Sequence, residues 1–130
     1  MQIHWLSVIV AAVSTFVLGG LWYGPLFGRA WMRASGVTEE EAKSGNPAIT
    51  FGVAFVLQFL AAAVFDGFIG PDATLGFGVA AGLAAGLFWV AGGLGVVYAF
   101  EHRPPAHWLV NGGYHTVAYA MMGAILGAWN

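Results

Sequence analysis

In WLVNGGYHTVAYAMMGAILGAW, residues 108–129, an amide, an imidazole and a phenol recur at four-residue steps as Asn111, His115 and Tyr119. At 3.6 residues per turn these steps share one helix face, together with Trp108 and Met122. Such a face could line a polar passage for a proton or a small solute. It could equally hydrogen-bond to neighbouring helices and hold them together. Histidine suits the first role because its reference pKa, about 6.5, lies near neutrality. Serine and threonine elsewhere favour the second, since they bond readily to carbonyls of their own helix.

The partners expected for this face lie upstream. His4, Ser7, Ala11, Ser14 and Thr15 share a face about 100° wide, and Gln58 is the one amide within its apolar segment. Other ionisable groups carry less chemistry. Asp66 and Glu101 stand at segment ends, where Asp66 is read as a terminator rather than a proton carrier. His102 and His107 flank the turn EHRPPAH, but Glu101 is adjacent to His102 and supplies no third ligand at chelating spacing. No metal site and no cofactor is expected. No GxSxG, HExxH or phosphate-loop pattern occurs, and no nucleophile or metal constellation points to an enzyme.

These polar residues need a positioning framework, and the composition says which kind. The 130-residue chain is 59% hydrophobic and only 8% charged, where about 25% charged is usual for a soluble domain. Ten charged side chains cannot solvate a surface of this size, so a lipid bilayer is the expected solvent and partner. A net charge of −2 leaves no footprint for nucleic acid. Cysteine is absent, which excludes disulfides and thiol chemistry. The first apolar stretch has no basic leader and ends in LWYGPLFG. It reads as a retained helix rather than a cleaved signal.

A hydrocarbon core about 30 Å thick takes roughly 20 apolar residues per helix. Four segments qualify, at about residues 3–23, 47–65, 73–100 and 106–129. The expected fold is therefore all-α: a four-span transmembrane helical bundle forming a single domain. Gly24-Pro25 is expected to end span one, Asn46-Pro47 to open span two and Gly70-Pro71-Asp72 to turn into span three. The basic residues Arg29, Arg33, Lys43 and Arg103 fall in two loops on one side of such a bundle. By the positive-inside rule that side is cytoplasmic and both termini face outward.

The loop of about residues 26–45 has structure of its own. In LFGRAWMRA, Phe27, Ala30, Trp31 and Ala34 share one face, and Arg29 and Arg33 another. This predicts a short interfacial helix, apolar side down. Trp22, Tyr23 and Trp31 would anchor it at the headgroups, with Arg29 and Arg33 toward anionic lipid. Small-residue grooves also recur: Gly78, Gly82 and Gly86 in span three, Gly123 and Gly127 in span four. Helices in lipid associate through such close contacts. They are expected to serve packing within the chain and to leave a groove for a second copy, making a homo-oligomer.

WYGPLFGRAWM, the following ASGVTEEE and the last helix together resemble the small bacterial membrane proteins grouped as domain of unknown function 1761. The opening His4-Trp5 departs from the Asn-Trp pair expected there. The resemblance implies a four-span protein of the bacterial cytoplasmic membrane and supplies no catalytic residues. The preferred reading of function is a packing or accessory membrane component. A homo-oligomeric channel or transporter using the Asn111/His115 face is the alternative, and a membrane enzyme comes last.

Overall fold

The computed structural model describes residues 3–129, and every regular element among them is helical. Helix α1, Trp5–Leu21, is apolar almost all round, and only a narrow stripe of Ser7, Val8, Ala11, Ala12 and Thr15 is buried. A helix apolar on every face belongs in lipid or in a protein core. Its outward face meets no protein, so lipid is the solvent that fits it.

Gly24-Pro25 does not end this helix as the sequence leads one to expect. Helical bonding continues as a π turn over Trp22–Leu26, closed by the Phe27 amide donating to the Trp22 carbonyl at 2.7 Å. Widening the turn draws the carbonyl that the proline ring would strike out of its way. The break comes instead at Phe27, whose φ of −127° and ψ of 13° leave the helical region. Helix α2, Gly28–Ser35, then starts afresh and packs against the last helix. Gly28 permits the fold-back, because a Cβ there would stand 2.6 Å from the Tyr23 carbonyl oxygen. Gly36, at φ 77°, closes α2 in the left-handed region. Ala30, Trp31 and Ala34 are half-buried, and Arg29 and Arg33 are exposed.

A short helix α3, Glu39–Lys43, is capped by Thr38, whose hydroxyl accepts from the Glu41 amide at 3.1 Å. Helix α4, Pro47–Ile69, has the expected cap, the Asn46 side chain accepting from the Ala48 amide at 3.0 Å. It runs beyond Phe65 and stops only at Gly70, whose φ is 80°. The third long helix is continuous but not uniform. It comprises α5, Leu75–Ala84, a π segment over Ala85–Ala91, and α6, Gly92–Phe100. Helix α7, Pro105–Ala128, completes the chain.

Helix α7 is the hub, packing against α1, α2, α4 and all three parts of the third helix. Against the third helix its course is antiparallel. Gly78 meets Gly123 and Gly127, Gly82 meets Tyr119 and Ala120, and Gly86 meets His115 and Thr116. A Cβ at Gly86 would stand 2.8 Å from the His115 carbonyl oxygen, and at Gly78 or Gly82 it would fall inside the α7 backbone. The whole glycine groove is thus used within one chain and offers no surface to a second copy. The homo-oligomer expected from a free groove loses that basis. On another side of α7, Val8, Ala11, Ala62, Ala63, Met122 and Leu126 form the apolar core of α1, α4 and α7.

Among the described residues, three helices are long and apolar enough to cross a membrane: Trp5–Leu26, Pro47–Ile69 and Leu75–Phe100. Their outward faces are unpartnered, with Phe68, Phe88, Trp89 and Phe100 each more than 70% exposed. Helix α7 has 24 residues, length enough to cross, but carries two histidines, an asparagine and two tyrosines. The other helices cover that polarity, which is why the most buried of the long helices is the least apolar of them.

Candidate functional site

The polar residues of α7 divide into two groups. Nearer its N-terminus, Asn111 joins three helices. The Tyr23 hydroxyl donates to its Oδ1 at 2.7 Å, and its Nδ2 donates to the Tyr98 hydroxyl at 2.9 Å. The same Nδ2 stands 3.3 Å from Nε2 of His107, one turn earlier on α7. With both amide hydrogens directed outward, Nε2 accepts, and a neutral His107 carries its proton on Nδ1. That Nδ1 is buried without a hydrogen-bond partner. The Tyr98 and His107 rings meet edge to face at 4.4 Å.

Two indoles brace this cluster at the two π segments. Trp22, at the start of the first, donates to the Val110 carbonyl at 2.9 Å. Trp108 donates to the carbonyl of Ala91, at the end of the second, at 2.7 Å. Trp22 and Tyr23, expected at the headgroups, therefore have their polar atoms engaged inside the bundle. Trp31 packs its ring edge-on against Tyr23 at 5.9 Å. The two basic segments also meet at this end, where Arg103 Nη1 lies 3.4 Å from the Ser35 carbonyl oxygen.

The second group lies one turn further along. Tyr114 is buried between α1 and α4, donating to the Thr15 carbonyl and accepting from Gln58 Nε2, both at 2.9 Å. Beside this bridge opens a cavity of about 620 Å³, bounded by α1, α4, α7 and Val90 of the third helix. Phe16, Phe51, Leu57 and Ala61 supply its apolar wall, and Tyr23, Gln58, Tyr114, His115 and Tyr119 its polar side. His115 touches the Tyr114 ring at 4.9 Å, and Tyr119 the Phe65 ring at 6.1 Å. Among the described residues, neither the imidazole nitrogens of His115 nor the hydroxyl of Tyr119 have a hydrogen-bond partner.

The expected face of Asn111, His115 and Tyr119 is thus not one site. Asn111 belongs to the cluster with Tyr23, whereas His115 and Tyr119 border the cavity. Gln58 joins the second group through Tyr114 rather than through His115. Ser7 donates to the carbonyl of His4 in its own chain segment at 2.8 Å, far from either group, and Ser14 lines neither. Asp66, 2% exposed, accepts from the backbone amide of His4 at 2.9 Å. Its carboxylate therefore sits at the positive end of α1, where the helix dipole favours an anion.

Sequence reasoning missed Tyr98, Tyr114 and the inward role of His107. Tyr114 stands one residue before His115 and so points about 100° away from the chosen face. The signal that could have found it is GGYH, a tyrosine behind two glycines that let another helix approach. Gly113 does meet the Trp22 ring, and Gly112 meets Ala91 and Trp108.

An all-helical bundle whose described residues include three helices long and apolar enough to cross a membrane, tied together by amides and phenols, is compatible with the membrane-protein class. Within that class the chain belongs to the family described as protein of unknown function (DUF1761), whose model matches residues 6–127. No curated protein and no solved structure matches the chain.

Proposed function

We propose that the chain is a four-span membrane protein whose intramembrane polar groups serve first as locks between helices, making it a packing or accessory component. The single observation that carries this reading is Asn111, whose amide bonds to side chains from the first, third and fourth long helices. In hydrocarbon an unpaired amide is costly, and mutual pairing removes that cost without requiring water. The antiparallel course of α7 against the third helix carries it back across the same thickness, which supports a fourth span. Helix α2 is read as interfacial, with Arg29 and Arg33 on its exposed side and Trp31 against the bundle. The end holding Arg29, Arg33, Lys43 and Arg103 is read as cytoplasmic, and both termini as outward.

Transport is the second reading, favoured by the unpartnered His115 and Tyr119 at the cavity. Against it, the wall is largely apolar and Tyr114 and Gln58 are already bonded to each other. Proton and small-solute flux in vesicles reconstituted with the purified protein decides between the two. The lock reading expects no flux above protein-free vesicles. Flux that His115→Ala abolishes, in a variant that still assembles, would establish transport.

A further inference from the structure

The cavity beside Tyr114 has a composition that selects a class of ligand. None of the side chains that line it is an acid, a lysine or an arginine. An anion or a cation held there would lie at membrane depth without a counter-charge, which is costly. Its volume of about 620 Å³ falls within the range of small-molecule sites, roughly 300–1,000 Å³. Most of the wall is aliphatic or aromatic, so most of the occupant must be apolar. The polar groups free to meet it are the imidazole of His115 and the hydroxyl of Tyr119 on α7, with the side-chain carbonyl of Gln58 on α4. The imidazole and the hydroxyl can each donate or accept a hydrogen bond. The cavity lies between the N-terminal half of α4 and the third helix, on the part of α4 that leans on α1 through Phe16, Phe51 and Phe55. Since α4 is largely uncovered on its outer side, the approach is lateral, from the bilayer.

From this geometry we infer that the cavity is a binding site for a neutral, lipid-soluble molecule with a hydroxyl or carbonyl head and an apolar body, the head meeting His115 and Tyr119. The inference rests on the bundle being in a membrane but not on the lock role of Asn111. A site that selects charge state and head chemistry differs from a gap filled by any acyl chain, and this difference can be measured.

Two positions allow the test to be made in folded protein. A Cβ at Gly20 meets nothing within 4 Å although Gly20 borders the cavity. Gly20→Phe therefore sets a ring at the edge of the cavity with its Cβ clear of neighbouring atoms. Tyr119→Phe removes the hydroxyl and keeps the ring against Phe65. The probes are three diazirine-bearing sixteen-carbon chains ending in an alcohol, a carboxylate or an ammonium, added to the protein in lipid nanodiscs. The alcohol is expected to label saturably, with adducts on peptides carrying Leu57, Gln58 or Tyr119. Gly20→Phe should lower that labelling at least about tenfold at unchanged melting temperature. Tyr119→Phe and His115→Phe should each weaken competition by unlabelled alcohol about five- to tenfold, the loss of one hydrogen bond. They should leave competition by the corresponding alkane unchanged. Equal saturable labelling by the carboxylate or the ammonium would overturn the charge selection. Adducts spread over the outer faces of α4 and the third helix, indifferent to Gly20→Phe, would overturn the site itself.

Discussion

The Tyr23 hydroxyl and the Asn111 side-chain carbonyl meet at 2.7 Å, joining the π turn at the end of the first long helix to the last helix 88 residues later. That bond depends on backbone irregularity as much as on the two side chains. A straight α-helix ending at Gly24-Pro25 would hold Tyr23 in a different direction. The π turn redirects Trp22 and Tyr23 together, one onto the Val110 carbonyl and the other onto Asn111. Proline here reshapes a helix end that then carries two interhelical bonds.

The Tyr114 bridge should behave as a unit. Tyr114→Phe removes the donor to the Thr15 carbonyl and the acceptor for Gln58 at once. The expected loss is about 1 kcal/mol of folding stability, in keeping with interhelical bonds in lipid, about 0.6 kcal/mol on average and up to about 1.7. Gln58→Leu should cost less, because Tyr114 keeps its bond to Thr15. Reversible unfolding in mixed micelles measures both, and a larger loss for Gln58→Leu than for Tyr114→Phe would contradict this ordering.

Gly82→Leu should prevent the third helix from seating on α7. A Cβ at Gly82 falls inside the backbone at Tyr119 and Ala120, so the helices must separate rather than let a flexible side chain yield. We expect a cost of about 3 kcal/mol or more, at the upper end of overpacking effects. The check is melting temperature together with mass in detergent. Loss of the folded monomer is the expected result. A stable, fully folded monomer with only a changed association state would place the groove between chains.

Reporter fusions test the span count and the orientation together. A fusion after Asn130 and one within the Val37–Ser44 loop should report opposite sides, with the loop cytoplasmic. Both fusions on one side would mean that α7 does not cross. A loop fusion active outside would invert the orientation.

The long helices were legible in the sequence because apolar length in lipid is a strong constraint, and the helix ends at Asn46 and Gly70 follow from backbone chemistry that sequence displays directly. The glycine steps at 78, 82 and 86 likewise marked a close contact, although not which surface fills it. What sequence could not display is rotation. Asn111 and His115 share a face by spacing, yet the packing of α7 against several helices gives each a different neighbour, so one apparent site becomes two. The π turn at Trp22–Leu26 was hidden for a related reason. Proline signals that regular bonding must change, and whether it changes by ending or by widening is decided by what Tyr23 and Gly28 pack against.

The central claim, that polar side chains lock this bundle, is tested most directly by a double-mutant cycle of Tyr23→Phe and Asn111→Leu, read as unfolding free energy in bilayer-like bicelles. The account predicts that each single change destabilises. It also predicts that the double variant loses less than the two together, with a coupling of about 0.5–1.7 kcal/mol, the range expected for an interhelical bond in lipid. Additive losses with no coupling, or an Asn111→Leu protein as stable as the parent, would contradict it.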